Sequence, residues 1–574
     1  MRSIRVRTEL ALALALALSG CKPGVKPPIG RAREVPPERG GVLRTAFFSD
    51  VRSLDAATAF DTGSAAIEGL IYDTLMSYDD EGKLVPLLAE SVDVAPDGRR
   101  YTLTLRRGVL MQDGHELRAE DVKRSLERAL DHDTPCPVPS FYDRIEGYDA
   151  FHDGKARELT GVRVGGQYSV DFVLTLPDAT FLHKLALPIA APLCRSAGRK
   201  WSRDFSSRPC GAGPFRVVRF DNGQIIKLTR FDGYWQKGKP YLDGVDWFLS
   251  MQSYTQRFKF EDGALDYMRE FNDADSMLYR SSAAWRGMGG WEPSKTVAGT
   301  FMNTRMAPFD DVHFRRAVAF AIDRQEIASV RRGPVMPQRK LVPLSIIPES
   351  PGYPGQHHDL SRALEEMRLA GYPYEPETGK GGYPETIEYL AIIDSFAQQA
   401  AELYQQQLAR IGIRISIQVV GFPTFLARTG RENTVRMGFV GWSADYPDPS
   451  DFFEPILTTA SIQPEDSQNS AFYSNPELDR LLVTARGSTD ASARLELYRR
   501  AEQIVADDAP WAIAYSYRYF ELWQPYLHGY RPNPILTQHL RGAWLDRSEM
   551  RLARARRRAP TTLALVTGRR SWSW

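Results

Sequence analysis

Short runs in which apolar and polar residues alternate fill the first half of the chain, and this period of two residues predicts half-buried strands. The runs lie at 41–48, 101–106, 245–249 and 213–229, the last of which folds back at Asn222-Gly223 as a hairpin. Between them, a period of 3.6 residues predicts a helix over 119–130 with Val122, Leu126 and Leu130 on its apolar face. The first half is therefore predicted to be rich in strands, with helices interspersed.

The second half changes to longer helical patterns that alternate with strands. Strands are predicted at 387–393, 413–419 and 436–442, and helices at 313–328, 396–411, 423–430, 477–486 and 491–507. Asp310 and Asp311 suit the start of the first of these helices, and Gly412 suits the end of the second. The order strand–helix–strand–helix–strand over 387–442 predicts a parallel α/β unit with right-handed crossovers.

The N-terminus has the pattern of a secretory signal peptide over residues 1–20. Arg2, Arg5 and Arg7 precede nine apolar residues at 10–18, which as a helix reach only about 14 Å and are too short to span a bilayer core of about 30 Å. The residues Leu18-Ser19-Gly20-Cys21 resemble the bacterial lipobox, whose cysteine becomes the lipidated first residue of the mature protein. An ordinary signal peptide with a chance cysteine is the alternative.

Residues 21–39 are rich in Pro, Gly and Arg and are predicted to form a flexible tether. No later stretch approaches 18 consecutive apolar residues. We therefore expect an exported protein of the cell envelope, attached to a membrane only through a lipid on Cys21. Its place is the periplasm or the outer side of the cytoplasmic membrane.

Composition and charge narrow the class further. The 574 residues are 43% hydrophobic and 25% charged, which indicates a globular chain too long for one hydrophobic core. Residues 40–550 carry 58 Lys or Arg against 68 Asp or Glu, whereas 551–574 carry seven Arg and no acid. An acidic body argues against nucleic-acid binding. The basic tail 551–574 is predicted to be disordered.

Three cysteines follow Cys21. Cys194 and Cys210 bracket a short polar loop and are the favoured disulfide pair outside the cytoplasm, which leaves Cys136 over. No Cys-x-x-Cys motif occurs, and the three residues are scattered. Neither a metal site nor a cysteine nucleophile is therefore predicted.

The loop after the third strand of the α/β unit carries the candidate chemistry. Asp445 directly follows that strand, and ligands of open α/β sheets bind beyond the carboxyl ends of strands. Pro447 and Pro449 stiffen the loop. A carboxylate held in this way suits a ligand ammonium, in a charge-assisted hydrogen bond of about 1.5–3 kcal/mol. The alternative is that Asp445 and Asp448 merely cap a turn.

A series of short motifs resembles the extracytoplasmic solute-binding proteins of peptide-type ABC transporters, the dipeptide- and oligopeptide-binding family. The resemblance covers about residues 40–545, and the order and spacing of the motifs make it specific. The matching stretches are Ser53-Leu54-Asp55, 71–75, 84–90, 101–108, 119–122, 211–215, 303–304, 308–311, 315–323 and Asp445-Tyr446-Pro447-Asp448-Pro449.

The resemblance implies a two-lobed α/β fold with an extra subdomain and a central cleft, the lobes being joined by two crossing strands. Lobe I would comprise 40–298, with a strand-rich subdomain at about 80–210, and the return segment 512–550. Lobe II would be the insertion 299–511. No cofactor and no catalytic residue are implied.

The resemblance also implies a function: a monomer that closes over a peptide or a related small amine-bearing solute and delivers it to an ABC permease. In the peptide binders the aspartate at the Asp445 position pairs with the peptide α-amino group, and Trp442 and Ser443 would line the same pocket, although Trp442 also suits the core. Extended segments near the crossings would pair with the peptide main chain. The candidates for that pairing are Phe48, Ser49, Gly299, Thr300 and Phe301.

The chain departs from the family at two positions. Arg118 stands where a Ser or Thr helix cap is common, and Asp394-Ser395 stand where dipeptide-binding members have an arginine that clamps the ligand carboxylate. A longer peptide, a cationic solute or a modified amine is therefore as compatible as a dipeptide.

Two other functions remain open from the sequence. A lipoprotein receptor or adhesin on the same fold is one. A secreted hydrolase is the other, and it is disfavoured because neither Gly-x-Ser-x-Gly nor His-Glu-x-x-His occurs.

Overall fold

The computed structural model describes residues 36–269, 273–292, 295–330, 334–347, 354–488 and 490–558. The predicted signal peptide, the lipidation candidate Cys21, the tether up to residue 35 and the tail from residue 559 lie outside the described residues. In the part that is described, no helix combines the length and the apolar character that crossing a bilayer requires.

The strands of the described residues are β1 (Val42–Ala46), β2 (Met76–Tyr78), β3 (Leu84–Pro86), β4 (Ala89–Val94), β5 (Arg100–Leu105), β6 (Val162–Gly166), β7 (Ser169–Val173), β8 (Phe215–Asp221), β9 (Ile225–Arg230), β10 (Gly244–Phe248), β11 (Tyr267–Met268), β12 (Gly289–Trp291), β13 (Thr296–Met302), β14 (Val335–Pro337), β15 (Tyr374–Glu375), β16 (Lys380–Gly381), β17 (Thr386–Ile392), β18 (Arg414–Val420), β19 (Met437–Ser443), β20 (Trp511–Tyr517), β21 (Phe520–Trp523), β22 (Leu527–His528) and β23 (Trp544–Leu545).

The helices are α1 (Thr62–Ile71), α2 (Ala119–Leu130), α3 (Tyr148–His152), α4 (Phe181–Lys184), α5 (Ser253–Glu261), α6 (Asp273–Ser281), α7 (Val312–Ala321), α8 (Arg324–Val330), α9 (Leu360–Leu369), α10 (Ser395–Ala409), α11 (Phe422–Thr429), α12 (Glu454–Leu457), α13 (Pro476–Gly487), α14 (Ala491–Asp508) and α15 (Arg547–Arg558).

Two four-stranded sheets dominate the first half of the chain, as the alternating pattern predicts. One has the order β1-β10-β9-β8 and contains the expected hairpin, in which β8 and β9 pair antiparallel around Asn222-Gly223. The other has the order β4-β5-β7-β6 and is antiparallel throughout. The predicted helix 119–130 is α2, and its residues Val122, Leu126 and Leu130 are buried.

A six-stranded sheet with the order β14-β20-β13-β19-β17-β18 forms the centre of the second half. Strand β17 pairs in parallel with both β18 and β19, which confirms the predicted parallel α/β unit. Strand β13 lies between β19 and β20, pairs antiparallel with both, and is buried along its whole length. Strand β19, an interior strand, is therefore held on both sides by neighbouring strands.

Two chain passages join the six-stranded sheet to the rest of the molecule, one from β12 to β13 and one from β20 to β21. They run side by side: the Thr296 hydroxyl accepts from the Tyr517 backbone N–H at 2.8 Å, and the Glu292 N–H donates to the Tyr519 carbonyl at 2.9 Å. We call residues 36–292 with 518–558 the first lobe and residues 296–517 the second lobe. The precise domain boundaries given by the family resemblance stay a prediction.

The helix expected over 313–328 is interrupted, and this expectation is corrected. Helix α7 ends at Ala321 and α8 begins at Arg324. The side chain of Asp323 explains the break, because its Oδ1 accepts from the backbone N–H groups of Gln325 at 2.9 Å and Glu326 at 3.2 Å. Such bonds cap a new helix instead of continuing the old one.

The basic tail is also more ordered at its start than expected. Helix α15 runs to Arg558. Asp546 caps it by accepting from the N–H groups of Ser548 and Glu549, both at 3.0 Å. Ala553 is buried, and Arg554 pairs with the buried Asp266 at 3.1 Å. These contacts tie residues 551–555 to the first lobe.

The structure joins Cys194 to Cys210 in a disulfide, with their Cα atoms 5.4 Å apart, and leaves Cys136 as a buried free thiol. Asp113 lies close to the two bonded sulfurs. Sulfurs that are bonded to each other offer no thiolate to a metal.

Candidate ligand-binding site

A cavity of about 240 Å³ lies where the two lobes face each other. Its first-lobe wall consists of α1, the loop before it and the loop 535–541. Its second-lobe wall consists of α11, the carboxyl end of β19 and the segment 466–470. A molecule held in this cavity touches both lobes at once, and for that reason it stabilises the arrangement in which they are close.

Asp445 lies on the second-lobe wall, just beyond the end of β19, together with Trp442 and Ser443. The loop that carries it is fixed from behind by Asp451, whose Oδ2 accepts from the Asp445 backbone N–H at 2.8 Å and from the Trp442 indole N–H at 3.4 Å. Asp451 is fully buried. Asp445 is therefore held through its backbone N–H, and its own carboxyl Oδ2 takes no part in fixing the loop.

The two aspartates of this loop have different roles. Asp448 caps the turn: its Oδ1 accepts from the Ser450 N–H at 2.9 Å, and its two oxygens receive the Arg494 guanidinium at 2.6 and 2.7 Å. Asp445 is partly buried, and its Oδ2 is enclosed with no hydrogen-bond partner. The capping alternative therefore describes Asp448 and does not account for the Asp445 carboxyl group.

Burial raises the pKa of Asp445 to about 7, although the positive charge of Lys295 acts in the opposite direction. Lys295, which directly precedes the second lobe, also lines the cavity, and its ammonium donates to the Ile535 carbonyl of the first lobe. Burial and the neighbouring Asp445 also raise the pKa of Asp451. A ligand cation beside Asp445 would supply the charge partner that the carboxyl group lacks.

Aromatic side chains at the cavity connect the two lobes. Trp442 is 9% exposed and packs against Phe60 of the first lobe, with ring centroids 6.1 Å apart. Phe60 in turn contacts Phe141, which contacts Tyr446 of the second lobe at 5.9 Å. Trp442 therefore borders the cavity and is part of the core, so the two sequence-based interpretations of this residue are compatible.

The structure does not bring the other predicted site residues to the cavity. Gly299, Thr300 and Phe301 lie in the middle of β13, whose two edges already pair with β19 and β20. A Cβ atom at Gly299 would come within 2.1 Å of the Ala512 carbonyl oxygen. Neither edge of this strand is free to receive a ligand main chain, and we draw the site without these residues.

Phe48 and Ser49 are likewise absent from the described lining. The Ser49 hydroxyl donates to the Asp50 carbonyl, and its own carbonyl accepts from the Ser250 N–H at 3.0 Å. From the same loop, Arg52 reaches the cavity and pairs with Asp466 of the second lobe at 2.9 Å. Both members of this ion pair remain partly exposed.

Sequence reasoning missed the polar groups of the first-lobe wall, Glu68, Gln538 and Arg541. Glu68 is the only charged residue in α1 and is fully buried, and this isolated acid was the signal available in the sequence. Asp394, at the position of the family's carboxylate clamp, caps α10 by accepting from the N–H groups of Phe396 and Ala397.

A second place where the lobes meet is a set of charges that we call the interlobe network: the buried Asp178, Lys184, Glu454 and Arg486 and the partly exposed Asp143. Lys184 bonds Asp178 at 3.1 Å and Glu454 at 3.3 Å, and Arg486 bonds Glu454 at 3.2 Å and also reaches Asp143. Burial alone would raise the pKa of Asp178, but the charges of Lys184 and Arg486 lower it below its ordinary value. These carboxylates are therefore satisfied by the protein itself.

Two lobes that are joined by two passages and enclose a cavity define the class of periplasmic-type binding proteins. Within that class, the chain belongs to the bacterial extracellular solute-binding proteins of family 5, because the model of the middle region of that family matches residues 83–464. The two-lobed α/β fold implied by the sequence resemblance is thereby confirmed.

Relatives and solved structures agree with this membership. The chain is 29% identical over 468 residues to the glutathione-binding protein GsiB of Salmonella choleraesuis, covering 81% of this chain and 86% of that protein, and the same values hold for GsiB of Escherichia coli O1:K1. Helicobacter pylori DppA in complex with the peptide STSA is 25% identical, with a TM-score of 0.77 over 88% of this chain and 98% of that one. Haemophilus influenzae OppA in complex with RPPGFSPFR has the same fold, with 21% identity and a TM-score of 0.78 over 89% of this chain and 100% of that one.

Proposed function

We propose that this chain binds a peptide or a related small amine-bearing solute in the interlobe cavity and delivers it unchanged to an ABC-type permease. The observation that carries the proposal is the Asp445 carboxyl group: it lies at a strand end on the cavity wall, and its Oδ2 is enclosed without a partner. A ligand ammonium would satisfy it. The names of the relatives and of the solved complexes, which refer to glutathione and to peptides, support the ligand class.

Closure of the lobes is the mechanism we propose. Because the ligand touches α1 on one side and the end of β19 on the other, it favours the closed arrangement over the open one. The closed form would then dock on the permease as a monomer. No chemical change of the ligand belongs to this proposal.

The place of action is part of the same proposal. Lipidation at Cys21 would tether the protein to a membrane through the segment 21–39, in the periplasm or on the outer side of the cytoplasmic membrane. The lipobox resemblance of residues 18–21 supports it. Incubation of the expressing cells with an alkyne-bearing palmitate, followed by coupling to a dye, would label the protein, and a Cys21→Ser variant would remain unlabelled.

The function is tested by calorimetry with the tetrapeptide STSA, with glutathione, and with the N-acetyl form of each. We expect at least one free-amine form to bind and its acetylated form to lose at least tenfold in affinity, which follows from a charge-assisted bond of about 1.5–3 kcal/mol. Asp445→Asn should weaken the free-amine form by a similar factor without lowering the melting temperature of the unliganded protein. Asp93→Asn, on an exposed position of β4, is the matched control.

Equal affinity of Asp445→Asn and wild type for the free-amine ligand would remove Asp445 from the site. If neither STSA nor glutathione binds at millimolar concentration, native mass spectrometry after incubation with a mixture of tri- to pentapeptides decides the matter. A protein that retains no peptide from such a mixture does not have the proposed function.

A further inference from the structure

The first-lobe wall of the cavity carries a second carboxyl group that the protein leaves without a partner. Glu68, on α1, is fully buried, and neither of its carboxyl oxygens has a hydrogen-bond partner. Burial raises the pKa of Glu68 well above its ordinary value, and the like charges of Asp61 and Asp55 raise it further. An unpaired buried carboxyl group is costly to ionise, and a cation from outside the protein would relieve that cost.

Gln538 on the same wall is also unsatisfied. It is 2% exposed, and both its amide oxygen and its amide nitrogen lack a partner. Its loop is tied to the end of α1, because Arg541 donates from Nη2 to the carbonyls of Gly69 at 2.7 Å and Tyr72 at 3.1 Å. These two bonds hold the loop that carries Gln538 against the C-terminal end of α1, the helix that carries Glu68, and both residues line the cavity.

The basic side chains that line the described cavity are each engaged elsewhere. Arg541 pairs through Nη1 with Asp73 at 2.7 Å, Arg52 pairs with Asp466, and Lys295 donates to the Ile535 carbonyl. Burial and Arg541 lower the pKa of His539 to about 3, so this imidazole is neutral at physiological pH. The wall therefore offers hydrogen-bond acceptors to a ligand and holds its own cations in other contacts.

The same wall leaves open space at Gly69. Gly69 lines the cavity on α1, and a Cβ atom built there would find no atom within 4 Å. A ligand chain can thus pass the helix at this point without displacing a side chain.

From these observations we propose that Glu68 and Gln538 form a second polar subsite, opposite Asp445, which binds a guanidinium or ammonium side chain of the ligand. This inference rests on the proposed function and makes it more specific: the preferred ligand is a peptide with a free N-terminus and a basic residue. Glu68 gives up its proton to solvent as the cation enters, so that the carboxylate and the cation pair.

The test uses STSA peptides in which position 2, 3 or 4 is replaced by arginine or by citrulline, the uncharged isostere of arginine. We expect the wild-type protein to bind at least one arginine peptide tenfold more tightly than its citrulline counterpart. Calorimetry in buffers of different ionisation enthalpy should show that the arginine peptide releases more protons on binding. Glu68→Gln should abolish the arginine preference and the additional proton release, and Gln538→Ala should reduce the preference. Glu402→Gln, an exposed position on α10, is the matched control.

The outcomes separate the two proposals. If wild type binds arginine and citrulline peptides equally well but still requires the free N-terminus, the subsite does not exist and the proposed function stands. If Glu68→Gln keeps the melting temperature of the wild type and also keeps the arginine preference, Glu68 is not part of the subsite. If none of the peptides binds, the proposed function fails and this inference fails with it.

Discussion

The two buried places where the lobes meet have opposite polar chemistry. In the interlobe network, Asp178 and Glu454 are paired with Lys184 and Arg486 at 3.1–3.3 Å. In the cavity, the carboxyl groups of Asp445 and Glu68 have oxygens with no partner. Acidic side chains therefore stabilise the contact between the lobes in one place, and in the other they have oxygens that a ligand could bind. Both places lie between the lobes, so location does not distinguish them. What distinguishes them is whether the buried polar groups have hydrogen-bond partners within the protein.

The comparison predicts that the network is where substitution costs most stability. Arg486→Met removes the charge that Asp143, Asp178 and Glu454 share, and leaves the buried Asp178 and Glu454 with one cation fewer. We expect a loss of about 3–5 kcal/mol in the free energy of unfolding, measured by urea titration. Arg480→Met on the same helix, at an exposed position, should change it by less than about 0.5 kcal/mol.

A loss below about 1 kcal/mol for Arg486→Met would show that the network contributes little, as surface ion pairs do. The stability of the two lobes would then depend on their separate cores. The contrast between satisfied and unsatisfied carboxyl groups would lose its meaning.

The cavity carboxyl group is predicted to respond to pH, whereas Asp178 of the network, whose pKa is held below its ordinary value by Lys184 and Arg486, is not. Burial raises the pKa of Asp445 to about 7, and an ammonium ligand favours its ionised form. Protonation competes with the ligand as pH falls, so the affinity for an amine-bearing ligand should drop at least about tenfold between pH 7 and pH 5. Lys295 and Asp451 face the same group: burial lowers the pKa of Lys295, and burial together with the charge of Asp445 raises the pKa of Asp451.

The measurement is the dissociation constant at pH 5, 6 and 7 for wild type and for Asp445→Asn. The variant should show a flat profile over this range with a peptide that lacks other ionisable side chains. A wild-type profile as flat as that of the variant would mean that Asp445 is ionised throughout, or that it does not contact the ligand.

Local sequence patterns were enough to predict much of the fold and part of the candidate site. The parallel unit β17–β18–β19 follows from apolar periodicity, and the position of Asp445 just beyond a strand follows from the same pattern. Gly299, Thr300 and Phe301 were misassigned to ligand contact because the two neighbours of β13 come from segments far away in sequence. Gln538 was missed for the same reason: its loop joins α1 through Arg541, 472 residues after Gly69.

The smallest effect is expected at Gly69, where cavity space and helix stability can be separated. Gly69 is inside α1, and a Cβ atom there would meet open space. Gly69→Ala should therefore raise the free energy of unfolding by about 0.5–1 kcal/mol through helix propensity and leave peptide affinity within about threefold. Gly69→Leu should keep the fold but weaken binding, because its side chain extends into the cavity that Gly69 lines. A Gly69→Leu protein that binds peptides as tightly as wild type would show that the ligand does not pass α1 at this point.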